Sequence, residues 1–191
     1  MSEDTETTKK EPGIFVATRV VSKILEVCFT IGAVGMVIIG IMSFFAKPED
    51  IIDDRLIQFG SVAISTYECS LEDAVRVQGV TYILSVGFFG LMAMIFRNIY
   101  LIVKTAEGET WFSTGATPFQ PDNVRMVREI GIFLILIYVV GLIIEVGAYI
   151  ACQDIEGSTT MMPLVFGIIV ICLSKMFEYG QKLQETEDGL I

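Results

Sequence analysis

The stretch Ile130-GIFLILIYVVGLIIEVGAYI-Ala151 decides the fold: twenty-two consecutive residues carry a single charge, Glu145. A hydrocarbon core about 30 Å thick takes roughly 20 helical residues at about 1.5 Å each, so the stretch reads as a transmembrane helix. Working outward, residues 25–46 and 80–103 are equally long and apolar, and 162–177 reaches the needed length by borrowing Glu178 and Tyr179 at its end. The expected fold class is an all-α membrane protein: a four-transmembrane-helix bundle with a small extracytoplasmic cap between helices 1 and 2.

Composition agrees. Apolar residues make up 53% of the 191-residue chain and charged residues 19%, with a mean hydropathy of +0.65. A soluble domain this apolar would expose aggregating patches, so lipid has to be its solvent. Residues 1–13 open acidic and threonine-rich, which predicts disorder. They lack the basic start and small-residue cleavage site of a secretory signal, so the first span is expected to stay as an anchor.

Lys and Arg in the short flanks predict the orientation. Lys9, Lys10, Arg19, Lys23, Lys104, Arg125, Arg128, Lys175 and Lys182 fall on one side, and only Lys47, Arg55 and Arg76 on the other. Both termini are therefore expected in the cytoplasm of a cell (plasma) membrane. The net charge of −10 argues against nucleic acid and against a polybasic lipid-binding patch. With this orientation Cys69 and Cys152 both face the oxidising side, while Cys28 and Cys172 lie within spans. A Cys69–Cys152 disulfide is the favoured reading, ahead of two free thiols. Redox catalysis ranks last, because no Cys-x-x-Cys pair is present to pass electrons on.

The flanks carry local signals. Residues 13–24 read as an amphipathic lead-in lying in the inner interface, since one helix from Ile14 to Ala46 would run about 50 Å. The 47–79 loop is long enough to hold structure of its own, with a short strand in Ser61-Val-Ala-Ile-Ser-Thr-Tyr67 and a capping box in Ser70-Leu-Glu-Asp73 that starts a helix into span two. In the 104–129 segment, Thr117-Pro-Phe-Gln-Pro121 stops one element. Pro121 and Asp122 then begin a helix that Val124, Val127 and Ile130 carry into span three. The 152–161 segment reads as a short outer loop and 180–191 as a cytoplasmic tail.

The run Ala116-Thr-Pro-Phe-Gln-Pro-Asp-Asn-Val-Arg-Met-Val-Arg-Glu-Ile-Gly131 resembles the Pro-Phe-x-x-x-Asn-Val-x-x-(Leu/Val)-Arg-x-Ile-Gly signature of a prokaryotic four-span family catalogued as domain of unknown function 2975. The closing stretch Leu173-Ser-Lys-Met-Phe-Glu-Tyr-Gly-Gln-Lys-Leu-Gln-Glu-Thr-Glu-Asp-Gly-Leu-Ile191 is similar to that family's end, although members usually carry Arg where Glu178 and Tyr179 stand. The resemblance implies a four-span protein of a prokaryotic membrane. The family's genes often lie beside a small helix-turn-helix regulator, which implies a regulated stress or envelope role. It implies no activity and no catalytic residues.

Polar groups inside spans are expensive and so mark candidate sites. Glu145 lies about 10 Å below the outer end of span three by helical rise, with Tyr82 and Ser85 of span two at similar depth. It reads either as a buried carboxyl holding spans two and three together or as a cation or proton site; the first is favoured, because no second intramembrane acid shares its depth. At the inner end, Glu26, Arg97, Asn98, Glu129, Lys175 and Glu178 share a depth. They are candidates for an inter-helix network centred on Arg97, for a cytoplasmic gate, or for simple snorkelling at the headgroups.

Absences narrow the chemistry. With no histidine there is no Ser-His nucleophile pair and no His-ligated zinc. No phosphate-binding or dinucleotide glycine motif occurs. The seventeen glycines include no pair four apart, yet Gly32, Gly35, Gly40, Gly87 and Gly90 allow close packing, while the nine Met and thirteen Phe read as lipid-facing and core filler. The function expected is non-enzymatic, without cofactor or metal: an accessory or regulatory protein acting through a protein partner. Trp111, Phe112 and Phe119 are its candidate anchors or, equally, interfacial anchors in the headgroups. The alternative is a homo-oligomeric small-ion channel or transporter using Glu145 or the Arg97 cluster.

Overall fold

A computed structural model describes residues 13–45, 55–113 and 119–188. The expected disorder of the first residues, the Ala46–Lys47 boundary, the Thr117-Pro118 stop and the terminal Gly189-Leu-Ile191 lie outside them. The elements are α1 (Gly13–Ser43), β1 (Leu56–Phe59), β2 (Val62–Ser65), α2 (Leu71–Ala106), α3 (Pro121–Ala151), β3 (Glu156–Thr159) and α4 (Met162–Asp188). All four helices are long and apolar enough to cross a membrane, and no more than 22% of the residues in the most apolar window of each are buried within the chain. Something apolar outside the chain must cover the rest.

The helix boundaries follow from local chemistry. The Ser70 hydroxyl accepts from the Asp73 N–H and donates to the Asp73 carboxylate at 2.7 Å, so the expected cap is present. Pro121 stands in the first turn of α3 with Asp122 beside it. The end of α2 is a Schellman motif: Gly108 takes φ +77°, its N–H bonds to Thr105 O, and the Glu109 N–H reaches back to Lys104 O. Two expected boundaries move. The 13–24 lead-in is not a separate element, because nothing in its sequence breaks the ladder before Ser43. The segment expected as a tail is helical as far as Asp188.

The helices pack in chain order, α1 on α2, α2 on α3 and α3 on α4, with no comparable packing of α1 on α4 among the described residues. Glycines set the approaches. A Cβ at Gly131 would sit 2.8 Å from Gly167 O, and one at Gly167 would sit 2.7 Å from Gly131 O, so α3 and α4 meet backbone to backbone. Gly40 admits Ile83, and Gly32 admits the Phe89 ring. Gly35 and Gly90 face open space, and Gly87 makes only ordinary contacts. Phe29 stacks on Phe96 at 5.5 Å and tilts against Phe89, which meets Phe59 of β1 edge-on, so aromatic rings bridge α1, α2 and the sheet.

The sheet is antiparallel, in the order β1-β2-β3. Phe59 pairs with Val62 across Gly60-Ser61, and Gly60 takes φ +53°, as a glycine-first two-residue hairpin turn requires. Strand β3 comes from the connection expected to be a plain loop, and it pairs with β2 from Val62↔Thr159 to Ser65↔Glu156. The sheet is therefore built from the α1–α2 and α3–α4 connections together. It lies alongside α3: a Cβ at Gly141 would meet Thr159 and Val62 at about 3 Å, and Gly141 is ten residues, about 15 Å, short of the end of α3. Because Gly167 packs at Gly131 and Ile135, α4 begins about 20 Å below the end of α3. The sheet fills the space that this offset leaves. The main buried cluster sits there, with Val62 and Ile64 of β2 against Ala74, Val77, Ile144 and Ala148.

Candidate functional site

At the disulfide end, Cys69 bonds to Cys152 with 6.5 Å between their Cα atoms. The bridge ties the residue before the α2 cap to the first residue past α3. Cys28 and Cys172 are free on α1 and α4. Below the bridge, Glu145 is half-buried, and its Oε2 accepts from the Thr159 hydroxyl at 2.6 Å. A Cβ on Gly157 would lie 2.8 Å from Glu145 Cγ, so β3 reaches the carboxylate only because glycine stands there. Leu142, Val146, Tyr149 and Ile155 complete an open groove of about 400 Å³.

The partners expected for Glu145 are not the observed ones. Tyr82 accepts from Gln78 Nε2 at 2.9 Å, and Ser85 is buried with its hydroxyl donating to Thr81 O at 2.7 Å. Both satisfy themselves within α2. Glu145 holds the sheet to α3 instead of holding α3 to α2. The missing clue was Glu156-Gly-Ser-Thr159, whose small polar residues do not announce a strand.

At the opposite end the six candidate residues fall into separate small groups, and Asn98–Glu129 is the one bond among them that joins two helices. Lys23 bonds Glu26 at 2.9 Å and lies over the Tyr100 ring. Lys175 and Lys182 both hold Glu178, whose carboxylate they share within α4. Asn98 donates to Glu129 at 3.1 Å between α2 and α3, and Arg125 lies 3.4 Å from the same carboxylate. Arg97 is exposed and joins none of them. The long-range ion pairs belong to a residue outside the expected set: Arg19 of α1 reaches Glu107 at 3.0 Å and Glu109 at 2.9 Å. Its signal was in the sequence, in two acids just past span two facing the cation-bearing start of helix one.

Those pairs help fix the α2–α3 connection. The Ser113 hydroxyl donates to Thr105 O at 3.2 Å, and the buried Gln120 side chain donates to Thr105 O at 3.1 Å and to the Ser113 hydroxyl. On this braced segment Trp111 is 95% exposed, with Phe112 edge-on at 5.3 Å. Phe119 belongs elsewhere: it packs on Phe177 at 5.7 Å and beside Gly180 of α4. Among the described residues no group of His, Cys, Asp and Glu is placed to hold a metal ion. No family model, curated protein or solved structure matches this chain.

Proposed function

We propose that this chain is a non-enzymatic, multi-pass membrane protein with both termini in the cytoplasm, and that it acts by binding a second protein through the α2–α3 connection. The observation that carries the reading is Trp111. Its 95% exposure is not the exposure of a loose loop, because the segment is held by a Schellman turn, two Arg19 ion pairs and the Gln120 bonds. Tryptophan on a pre-ordered surface is the typical anchor of a protein interface, since little entropy is lost when it docks. The alternative role is anchoring in the headgroups, which the same exposure permits and which the test below separates.

The test is a photoreactive amino acid at position 111, activated in intact membranes. Crosslinking to one protein, with Phe119 substitution in the same way giving none, supports the reading. Crosslinking to lipid alone overturns it. A channel through Glu145 has less support, because that carboxylate is used by Thr159 in a groove on the outside of α3.

A further inference from the structure

The arginines of the described chain divide by partner. Arg19, Arg76 and Arg125 pair with carboxylates, and Arg55 donates to Tyr67 O. Arg97 and Arg128 are exposed and have no carboxylate or hydrogen-bond acceptor among the described residues. They are not scattered. Arg97 immediately precedes Asn98, Arg128 immediately precedes Glu129, and Asn98 and Glu129 are bonded to each other across the α2–α3 contact. One residue back from a contact position is a rotation of about 100°, and the two helices run antiparallel, so both arginines emerge on the same face. Lys104, half-buried and likewise without an acceptor among the described residues, is two turns further along that face of α2.

Toward the bilayer interior the same face presents exposed Met94, Ile132 and Leu136, and Gly90, where a Cβ would meet nothing within 4 Å. The two guanidiniums stand at one end of an apolar, shallow face.

We propose that Arg97 and Arg128 form a binding site for the phosphate of an anionic phospholipid, with its acyl chains lying over Met94, Gly90, Ile132 and Leu136. Guanidinium is the group best matched to a phosphate oxygen pair, by charge and by its two parallel donors. In a chain of net charge −10, two unpaired arginines on one face are a local reversal of sign, and charge complementarity selects an anionic headgroup over a zwitterionic one. The inference does not depend on which side of the membrane this end faces or on the partner role of Trp111.

The experiment places the full chain in bilayer discs of equal phosphatidylglycerol and phosphatidylcholine and counts retained lipids by native mass spectrometry. The wild type is expected to keep phosphatidylglycerol in preference to phosphatidylcholine. Arg97→Gln with Arg128→Gln is expected to lower that preference roughly thirtyfold, from about fivefold per cation, while Arg76→Gln leaves it unchanged. Equal retention by the double variant, or no preference in the wild type, overturns the site. Should the double variant fail to fold, a photoactivatable phosphatidylglycerol on the wild type decides: labels on α2 and α3 around residues 90–104 and 125–136 support the site, and labels spread evenly over the four helices refute it. Free inorganic phosphate that protects the same peptides in lipid-free detergent as well as the lipid does would refute the lipid assignment.

Discussion

Glu145 and Gly131 show what single residues contribute. Glu145 accepts one hydrogen bond, from Thr159, and Gln can accept the same bond through its amide oxygen. Glu145→Gln should therefore leave thermal stability in detergent nearly unchanged, while Glu145→Ala should cost about 1–2 kcal/mol. A Thr159→Val partner substitution should remove most of the difference between Gln and Ala. Gly131 is the opposite case. Alanine there would press on Gly167 O and Ile171 and should destabilise the α3–α4 pair by about 1–3 kcal/mol, whereas Gly35→Ala, facing open space, should be neutral or slightly favourable. Composition alone could name glycines as packing points, but it could not say that Gly131 and Gly167 face each other and Gly90 faces nothing. That depends on which helices are neighbours and at what height.

Elements were legible where their signals are local. The Ser70 cap, the Pro121 start and the strand in Ser61–Tyr67 are all readable from a few consecutive residues, because capping, fixed φ and alternation act over one or two turns. Strand β3 and the offset of α4 were not, because both depend on pairing with distant residues: β3 forms on β2, and α4 starts low because β3 first descends along α3. The Cys69–Cys152 bridge lies between these cases, since the topology alone brings the two thiols to one end. Replacing both cysteines by serine should cost about 2 kcal/mol and should speed amide exchange at residues 156–159, as the strand loses the tether at its entry. Exchange in α1, which the bridge does not touch, should stay as it was. Unchanged protection of β3 would mean that Glu145 and the β2 ladder suffice to hold the sheet.

For the whole molecule, the described chain is a row of four antiparallel helices with a small sheet beside α3, a disulfide at one end and a braced, Trp-bearing connection at the other. If the termini are cytoplasmic, as the Lys and Arg distribution implies, then in a background without Cys28 and Cys172 a Glu109→Cys variant should be labelled only from the terminal side of sealed vesicles. Asp154→Cys should be labelled only from the other. Labelling of both from one side would remove the four-span topology. The partner role rests on Trp111, which supports nothing inside the fold: with 95% exposure, Trp111→Ala should shift stability by no more than about 0.5 kcal/mol. The most direct measurement is the mass and composition of the native complex after crosslinking in the membrane and mild extraction. The expected result is this chain with a second, different protein in a fixed ratio, lost when Trp111→Ala and Phe112→Ala are combined in a chain that keeps its melting temperature. Copies of this chain alone, or a single chain with lipid in both wild type and variant, would contradict it.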